Sequence, residues 1–307
     1  MKMAMIFPGQ NYQNIYALLN LSKKDNIIKN TFLEASDYLN YNIWKLINKS
    51  NKLFLKKNIY IQPMILISSV AIYRLWKKLG GINPTITAGH SLGEYSALVC
   101  SNAIKFSDAL KLIKIREYLM QKTIKNIDVQ MQAIIGLNKN IIVKICKKNS
   151  KKQIVNIASI NPCNQIIISG HKNAVQKTSQ ECKERGAKKT ITFSITMATH
   201  CNIMKKIKRQ LFKNIKKISI QKSEFPIINS ISLSIQRSQH TIKKSLIKQL
   251  YKPVRWEETM HLIQKQSHLI LEVGTNNILT QLNKNFSYLK SIAINTLRNI
   301  HIALKLL

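Results

Sequence analysis

Thr85-Ile86-Thr87-Ala88-Gly89-His90-Ser91-Leu92-Gly93-Glu94 decides the fold. A short β-forming run at 85–88 meets a Gly-x-Ser-x-Gly turn, and a helical run starts at Glu94. A strand that bends sharply into a helix needs small residues on both sides of the serine, so that the backbone folds back without a clash. The strained turn lifts the hydroxyl out of the sheet. The helix then aims its first amides at the place where negative charge develops during acyl transfer. In this setting Ser91 reads as a nucleophile, with an ordinary glycine-rich turn as the alternative.

Working outward, Met-Ala-Met-Ile-Phe at 3–7 is a short apolar run ending at Pro8-Gly9, which predicts a buried first strand. Helical patterns follow to about residue 80, including 63–78. Strands alternating with helices predict an α/β core with a mainly parallel sheet. The middle of the chain reads differently: strand at 131–137, helix at 141–148, strands at 154–160 and 165–169, helix at 171–185 closed by Gly186, and a last strand at 190–194. That βαββαβ order is the ferredoxin-like pattern. It predicts an inserted subdomain at 126–197, flanked by a catalytic domain made of 1–125 and 198–307.

A serine nucleophile needs a base. Of the seven histidines, His200 stands just after the insert, at the start of a predicted amphipathic helix, whereas His171, His240, His261, His268 and His301 lack such a setting. His90 adjoins Ser91 but the turn points it away. Hydrolases with this elbow order their triads Ser, then Asp or Glu, then His. Between Ser91 and His200 every acid except Asp128 falls in a predicted helix, so a Ser–His dyad with a neutral acceptor on the imidazole is the better reading.

Arg116 is the second unusual residue. It shares one helical face with Ala109, Leu112, Ile113 and Met120. A guanidinium on an inward stripe cannot shed its proton and needs an anion there. A structural ion pair and a clamp for a substrate carboxylate both satisfy that need.

The 307 residues, 45% hydrophobic and 20% charged, are enough for a sizeable core. No apolar run approaches the roughly 18–20 residues of a membrane span, and the start reaches Pro8-Gly9 too soon for a signal peptide. A soluble, cytoplasmic protein is expected. The five cysteines are scattered without a CxxC pair, which indicates neither a zinc site nor a disulfide framework. The net charge of +36 invites a nucleic-acid reading. Against it, the lysines are spread along the whole chain together with Ile and Asn, a codon-bias signature, and aromatics reach only 7%. The densest basic stretch, 204–209, alternates with Ile203, Ile207, Leu211 and Ile215, a solvated helix face over a buried stripe. No nucleic acid and no membrane partner is expected, although a positive surface favours acidic partners.

FPGQ at 7–10, IQP at 61–63, AGHSLGEYSALVC at 88–100, Arg116 with Met120-Gln121, AIIGL at 133–137, the His200 segment, QLYKPVRW at 249–256 and LEVG at 271–274 span nearly the whole chain. In this order they resemble the malonyl-CoA:acyl carrier protein transacylases of bacterial type II fatty acid synthesis. The resemblance implies an α/β-hydrolase-like large domain carrying the ferredoxin-like insert. It implies Ser91 as the malonyl-carrying nucleophile, His200 as its base, and an oxyanion hole from the backbone amides of Gln10 and Leu92. It further implies Arg116 paired with the malonyl carboxylate and a carbonyl of Gln249 orienting His200. Malonyl-CoA would be the first substrate and acyl carrier protein, typically acidic, the second. No cofactor and no metal would take part, and a monomer is expected. The chain departs from the family pattern at Asn11, at Cys163-Asn164 and at Thr275-Asn276-Asn277. Three other readings stay on the table: an acyltransferase loading another carboxylated group such as methylmalonyl, a choice Thr199 would influence; a carboxylesterase; and a nucleic-acid binder.

Overall fold

The first apolar run becomes a fully buried strand, β1 (Met3–Phe7), in a computed structural model that describes residues 2–9, 14–48, 58–193, 197–236, 238–286 and 289–307. From it the chain passes through α1 (Ile15–Ser22), α2 (Asn26–Leu39), α3 (Ile43–Asn48) and α4 (Asn58–Lys78) to β2 (Ile86–Gly89), α5 (Gly93–Cys100) and α6 (Phe106–Ile124). The middle stretch holds β3 (Val129–Ile135), α7 (Lys139–Asn149), β4 (Val155–Asn161), β5 (Gln165–His171), α8 (Lys172–Glu184) and β6 (Lys189–Thr192). After it come α9 (Lys208–Lys216), β7 (Ile227–Ile228), β8 (Ile235–Gln236), α10 (Gln239–Lys248), β9 (Val254–Arg255) and α11 (Trp256–Gln264). The chain closes with β10 (Leu269–Glu272), α12 (Ile278–Leu282), β11 (Lys290–Ala293) and α13 (Leu297–Leu304).

Two sheets make a mixed α/β protein. The larger has the order β11-β10-β1-β2-β7-β8. All its pairings are parallel except β7 with β8. Alternation along β1 sends Met3, Met5 and Phe7 into the larger core beneath α2, α4 and α5, and Ala4 and Ile6 into a second core against Trp256, Met260 and Ile263 of α11. Burial on both faces is what a parallel sheet with helical crossovers requires. The register sets Phe7 beside Gly89, so the chain leaving β1 lies against the turn leaving β2. His90 N–H donates to the Phe7 carbonyl at 2.9 Å.

The smaller sheet has the order β6-β3-β5-β4-β9. Its first four strands and two helices are the βαββαβ run of the sequence, each boundary within two residues of expectation; Ser194, expected to end the last strand, lies outside the described residues. Ile134, Val155, Ile166 and Ile168 meet Ile142, Ile145 and Val175 of α7 and α8 on one face. The fifth strand was not foreseen. β9 comes from far downstream and pairs parallel with β4, Ser159 beside Val254 and Ile160 beside Arg255. Two residues have no periodicity from which to read a strand.

Helix α4 corrects one expectation. Its residues Ile59–Lys78 are long and apolar enough to cross a membrane by length and composition, with a mean hydropathy of 1.3. In the fold 78% of that window is buried, packed against α2, α5 and α6, so it is a core helix. A second difference falls after His200. The expected helix begins as a tight 3₁₀ turn, Asn202–Ile207, before α9. Ile203, Ile207, Leu211 and Ile215 are buried along both, as the stripe predicts.

Between β4 and β5, Cys163 and Asn164 both adopt positive φ, 61° and 51°. A non-glycine residue there costs about 1–2 kcal/mol, partly offset in glycine by its larger loss of freedom on folding. Cys163 is exposed and free, so Cys163→Gly removes no buried contact. It should stabilise the protein by about 0.5–1 kcal/mol, read as a higher denaturant midpoint at unchanged m-value.

Candidate active site

The elbow is built by close approach. A Cβ on Gly89 would run into the backbone of Gly93 and Glu94, and a Cβ on Gly93 into the carbonyl of Phe7. Those two contacts explain both glycines by space. The strain falls on the serine itself: Ser91 has φ 53°, a left-handed conformation that a non-glycine residue adopts only where its surroundings hold it. His200 is strained in the same way, with φ 57°.

These two strained residues meet. Ser91 Oγ lies 2.7 Å from His200 Nε2, and His200 Nδ1 lies 3.1 Å from the carbonyl of Lys252. A carbonyl only accepts, so Nδ1 carries the proton and Nε2 is left to accept from the serine hydroxyl. The sequence reading had assigned this carbonyl to Gln249. Lys252 supplies the 3.1 Å acceptor, and the Gln249 main chain, as expected, also favours the protonated ring. The Gln249 side chain braces the Ser91 turn as well: its Nε2 donates to the Ser91 carbonyl at 2.8 Å and to Glu94 Oε2 at 2.7 Å. Lys252 was missed because a main-chain acceptor leaves no residue-type signal. It is placed by β9, two residues on, which fastens the loop to the smaller sheet.

His200 is 4% exposed, and its pKa is lowered to about 3. Burial is the first cause, and the charges of Arg116 and His90 add to it, against the carbonyls of Lys252 and Gln249. The imidazole is therefore neutral throughout the neutral range. We expect kcat/KM for acyl transfer at about pH 5.5 to stay within about twofold of its value at about pH 7.5, where a base with an ordinary pKa would lose about tenfold.

His90 faces away from the serine. Its Nε2 is 3.2 Å from Ser159 Oγ of β4, and its ring stands edge-on to Trp256 at 5.2 Å. Burial pushes its pKa down to about 4.

Arg116 sits where its stripe predicted, 2% exposed, beside fully buried Ala109, Ile113 and Met120. It makes none of the ion pairs among the described residues. Nη1 donates to Gln62 Oε1 at 2.6 Å, and Nε has no partner. Gln62 turns its amide to the buried Glu117, which also accepts from Gln121 Nε2 at 2.8 Å. A buried cation with spare donors is a standing demand for an anion. The sequence missed Gln62 and Glu117, although Gln62 is a polar residue inside an apolar helix and could have been found as Arg116 was.

Of the residues expected to supply oxyanion donors, Gln10 lies outside the described residues, as does Asn11. Leu92 follows Ser91 at the start of α5. The N–H groups of Gly93, Glu94 and Tyr95 turn back to the carbonyls of His90, Ser91 and Leu92, whereas that of Leu92 meets no acceptor among the described residues. Such a donor at a helix N-terminus is suited to developing negative charge.

Residues 7–288 match the acyl transferase domain family. The chain is 46% identical over 305 residues to the malonyl CoA-acyl carrier protein transacylase of Buchnera aphidicola subsp. Schizaphis graminum, covering 98% of each chain. It is 36% identical over 283 residues to that of Escherichia coli strain K12, covering 92% of this chain and 91% of the relative. The solved structure of the Coxiella burnetii malonyl CoA-acyl carrier protein transacylase matches with a TM-score of 0.96 at 36% identity, over 99% of this chain and 97% of that one. A malonyl-transacylase solved in complex with a type II polyketide synthase acyl-carrier protein matches with a TM-score of 0.97 at 36% identity, over the whole of both chains. Likeness that runs from end to end in both sequence and backbone leaves one assignment: the chain belongs to the malonyl CoA-acyl carrier protein transacylase family, within the acyl transferase domain proteins.

Proposed function

We propose that the protein moves the malonyl group from malonyl-CoA to the phosphopantetheine thiol of acyl carrier protein, through a malonyl ester on Ser91, and so supplies fatty acid elongation. The observation that carries this is the 2.7 Å contact between Ser91 Oγ and a neutral His200 Nε2, under the field of a buried arginine that makes no ion pair among the described residues.

In the first half-reaction His200 Nε2 takes the Ser91 proton as Oγ attacks the thioester carbonyl. The oxyanion is met by the N–H of Leu92 and, on the family pattern, that of Gln10. The C–S bond then breaks, His200 returns the proton to the departing CoA sulfur, and malonyl remains on Ser91. In the second half the carrier thiol gives its proton to His200 and attacks the ester, and the Ser91 oxygen leaves with that proton. Arg116 holds the malonyl carboxylate in a bidentate pair. That pairing also removes most of the arginine's field from His200, so the base becomes stronger when the right acyl group is bound. A net charge of +36 suits an acidic carrier.

The same reading divides the chain into 1–125 with 198–307, an α/β-hydrolase-like catalytic domain, and 126–197, a ferredoxin-like subdomain. The parallel run β10-β1-β2-β7 and the order β6-β3-β5-β4 support that division. It carries with it a cytoplasmic monomer, for which five free cysteines are the natural state. Intact mass spectrometry after brief exposure to malonyl-CoA tests the proposal. A single malonyl adduct, lost when acyl carrier protein is added, is the expected result; no adduct on the folded protein would end it.

A further inference from the structure

Glu94 is a fully buried carboxylate that makes no ion pair among the described residues. Four neutral donors hold it instead. Oε1 accepts from Asn229 Nδ2 at 2.8 Å, Gln236 Nε2 at 2.6 Å and Ser245 Oγ at 2.6 Å, and Oε2 accepts from Gln249 Nε2 at 2.7 Å. These donors come from the end of β7, from β8, and from within and just after α10. Burial raises the Glu94 pKa and the four hydrogen bonds oppose that rise. What the convergence of four donors on this carboxylate secures is the orientation of one amide. Gln249 Nε2 has two hydrogens; one goes to Glu94 and the other to the carbonyl of Ser91. Gln249 Oε1 is unpartnered, so only a pure acceptor at position 94 keeps the NH2 end turned toward the serine.

We propose that Glu94 is a positioning residue for acyl transfer, fixing the amide of Gln249 so that the strained Ser91 turn and the loop carrying the His200 acceptor carbonyls are held as one unit. The inference rests on the assignment of Ser91 and His200 made above. A Glu94→Gln change puts an NH2 group among donors. The arrangement it favours flips the Gln249 amide to accept from residue 94, and this sets Oε1 against the Ser91 carbonyl. The 2.8 Å bond is then lost with little change in volume.

The test is single-turnover malonylation of Ser91 by malonyl-CoA, expressed per titrated active site so that misfolded protein drops out, with KM measured alongside. Glu94→Gln should slow acylation on the order of 10- to 100-fold and leave KM within about twofold. Gln249→Met, which keeps the bulk and cannot donate, should do the same and decides the matter alone if Glu94→Gln does not fold. The double variant should be no slower than the slower single one, because both break one link. Wild-type rates per site in the single variants, or losses that add in the double, would overturn the proposal. If wild-type protein itself takes no malonyl, the Ser91 assignment fails; if it does and the variants match it, only the role of Glu94 fails.

Discussion

Ser91→Ala should abolish malonyl transfer, with kcat falling about 10⁴- to 10⁶-fold and no malonyl adduct in the intact mass. The size follows from what is lost. Without Oγ there is no atom to carry the acyl group between the two thiols, and His200 Nε2 loses the hydrogen-bond partner it has among the described residues. Any residue of activity would come from oxyanion donors and binding acting on a thiol or water directly. The substitution leaves the backbone its strained φ of 53° and fills no new space, so the variant should unfold within about 1 kcal/mol of wild type. An adduct surviving in Ser91→Ala would move the nucleophile elsewhere and sink the assignment.

Arg116→Ala should lower kcat/KM for malonyl-CoA by about 10²- to 10³-fold, the loss expected when one partner of a buried, hydrogen-bonded charge pair is removed. Acetyl-CoA, which has no carboxylate, should be used as well as before or better, so the ratio of the two substrates is the measurement. The same variant carries a second signature. Arg116 helps hold the His200 pKa down, so its removal should raise that pKa and move the acid limb of the acetyl reaction to higher pH. A structural arginine would change stability and leave the substrate ratio alone. Malonyl transfer undiminished in Arg116→Ala would show that the carboxylate is held by something else.

The sequence spoke most clearly where the signal is local. Gly89, Ser91 and Gly93 sit within five residues, and the clashes that demand the glycines involve the neighbouring turn and the adjoining strand, so the motif alone announces an elbow. The βαββαβ run showed in alternating periods, because each strand and helix must present one apolar face to a single layer. Arg116 stood out because a charge on an apolar stripe is visible without coordinates. The tight 3₁₀ turn after His200 was not visible, since its buried residues repeat much as those of an α-helix do.

By itself, then, the sequence determined the α/β class, the order of the elements in the βαββαβ run, the elbow turn at Ser91 and the inward arginine. Only the tertiary structure decided that the Lys252 carbonyl joins that of Gln249 at the histidine, that β9 joins the smaller sheet, and that Gln62 and Glu117 stand behind the arginine. It also decided that Gln249 ties Glu94 to the serine. The reason is physical. Periodicity and turn chemistry act between residues a few positions apart and are written in residue type, whereas a carbonyl acceptor is common to every residue, and which one reaches an imidazole 52 positions away depends on how two sheets and their helices pack.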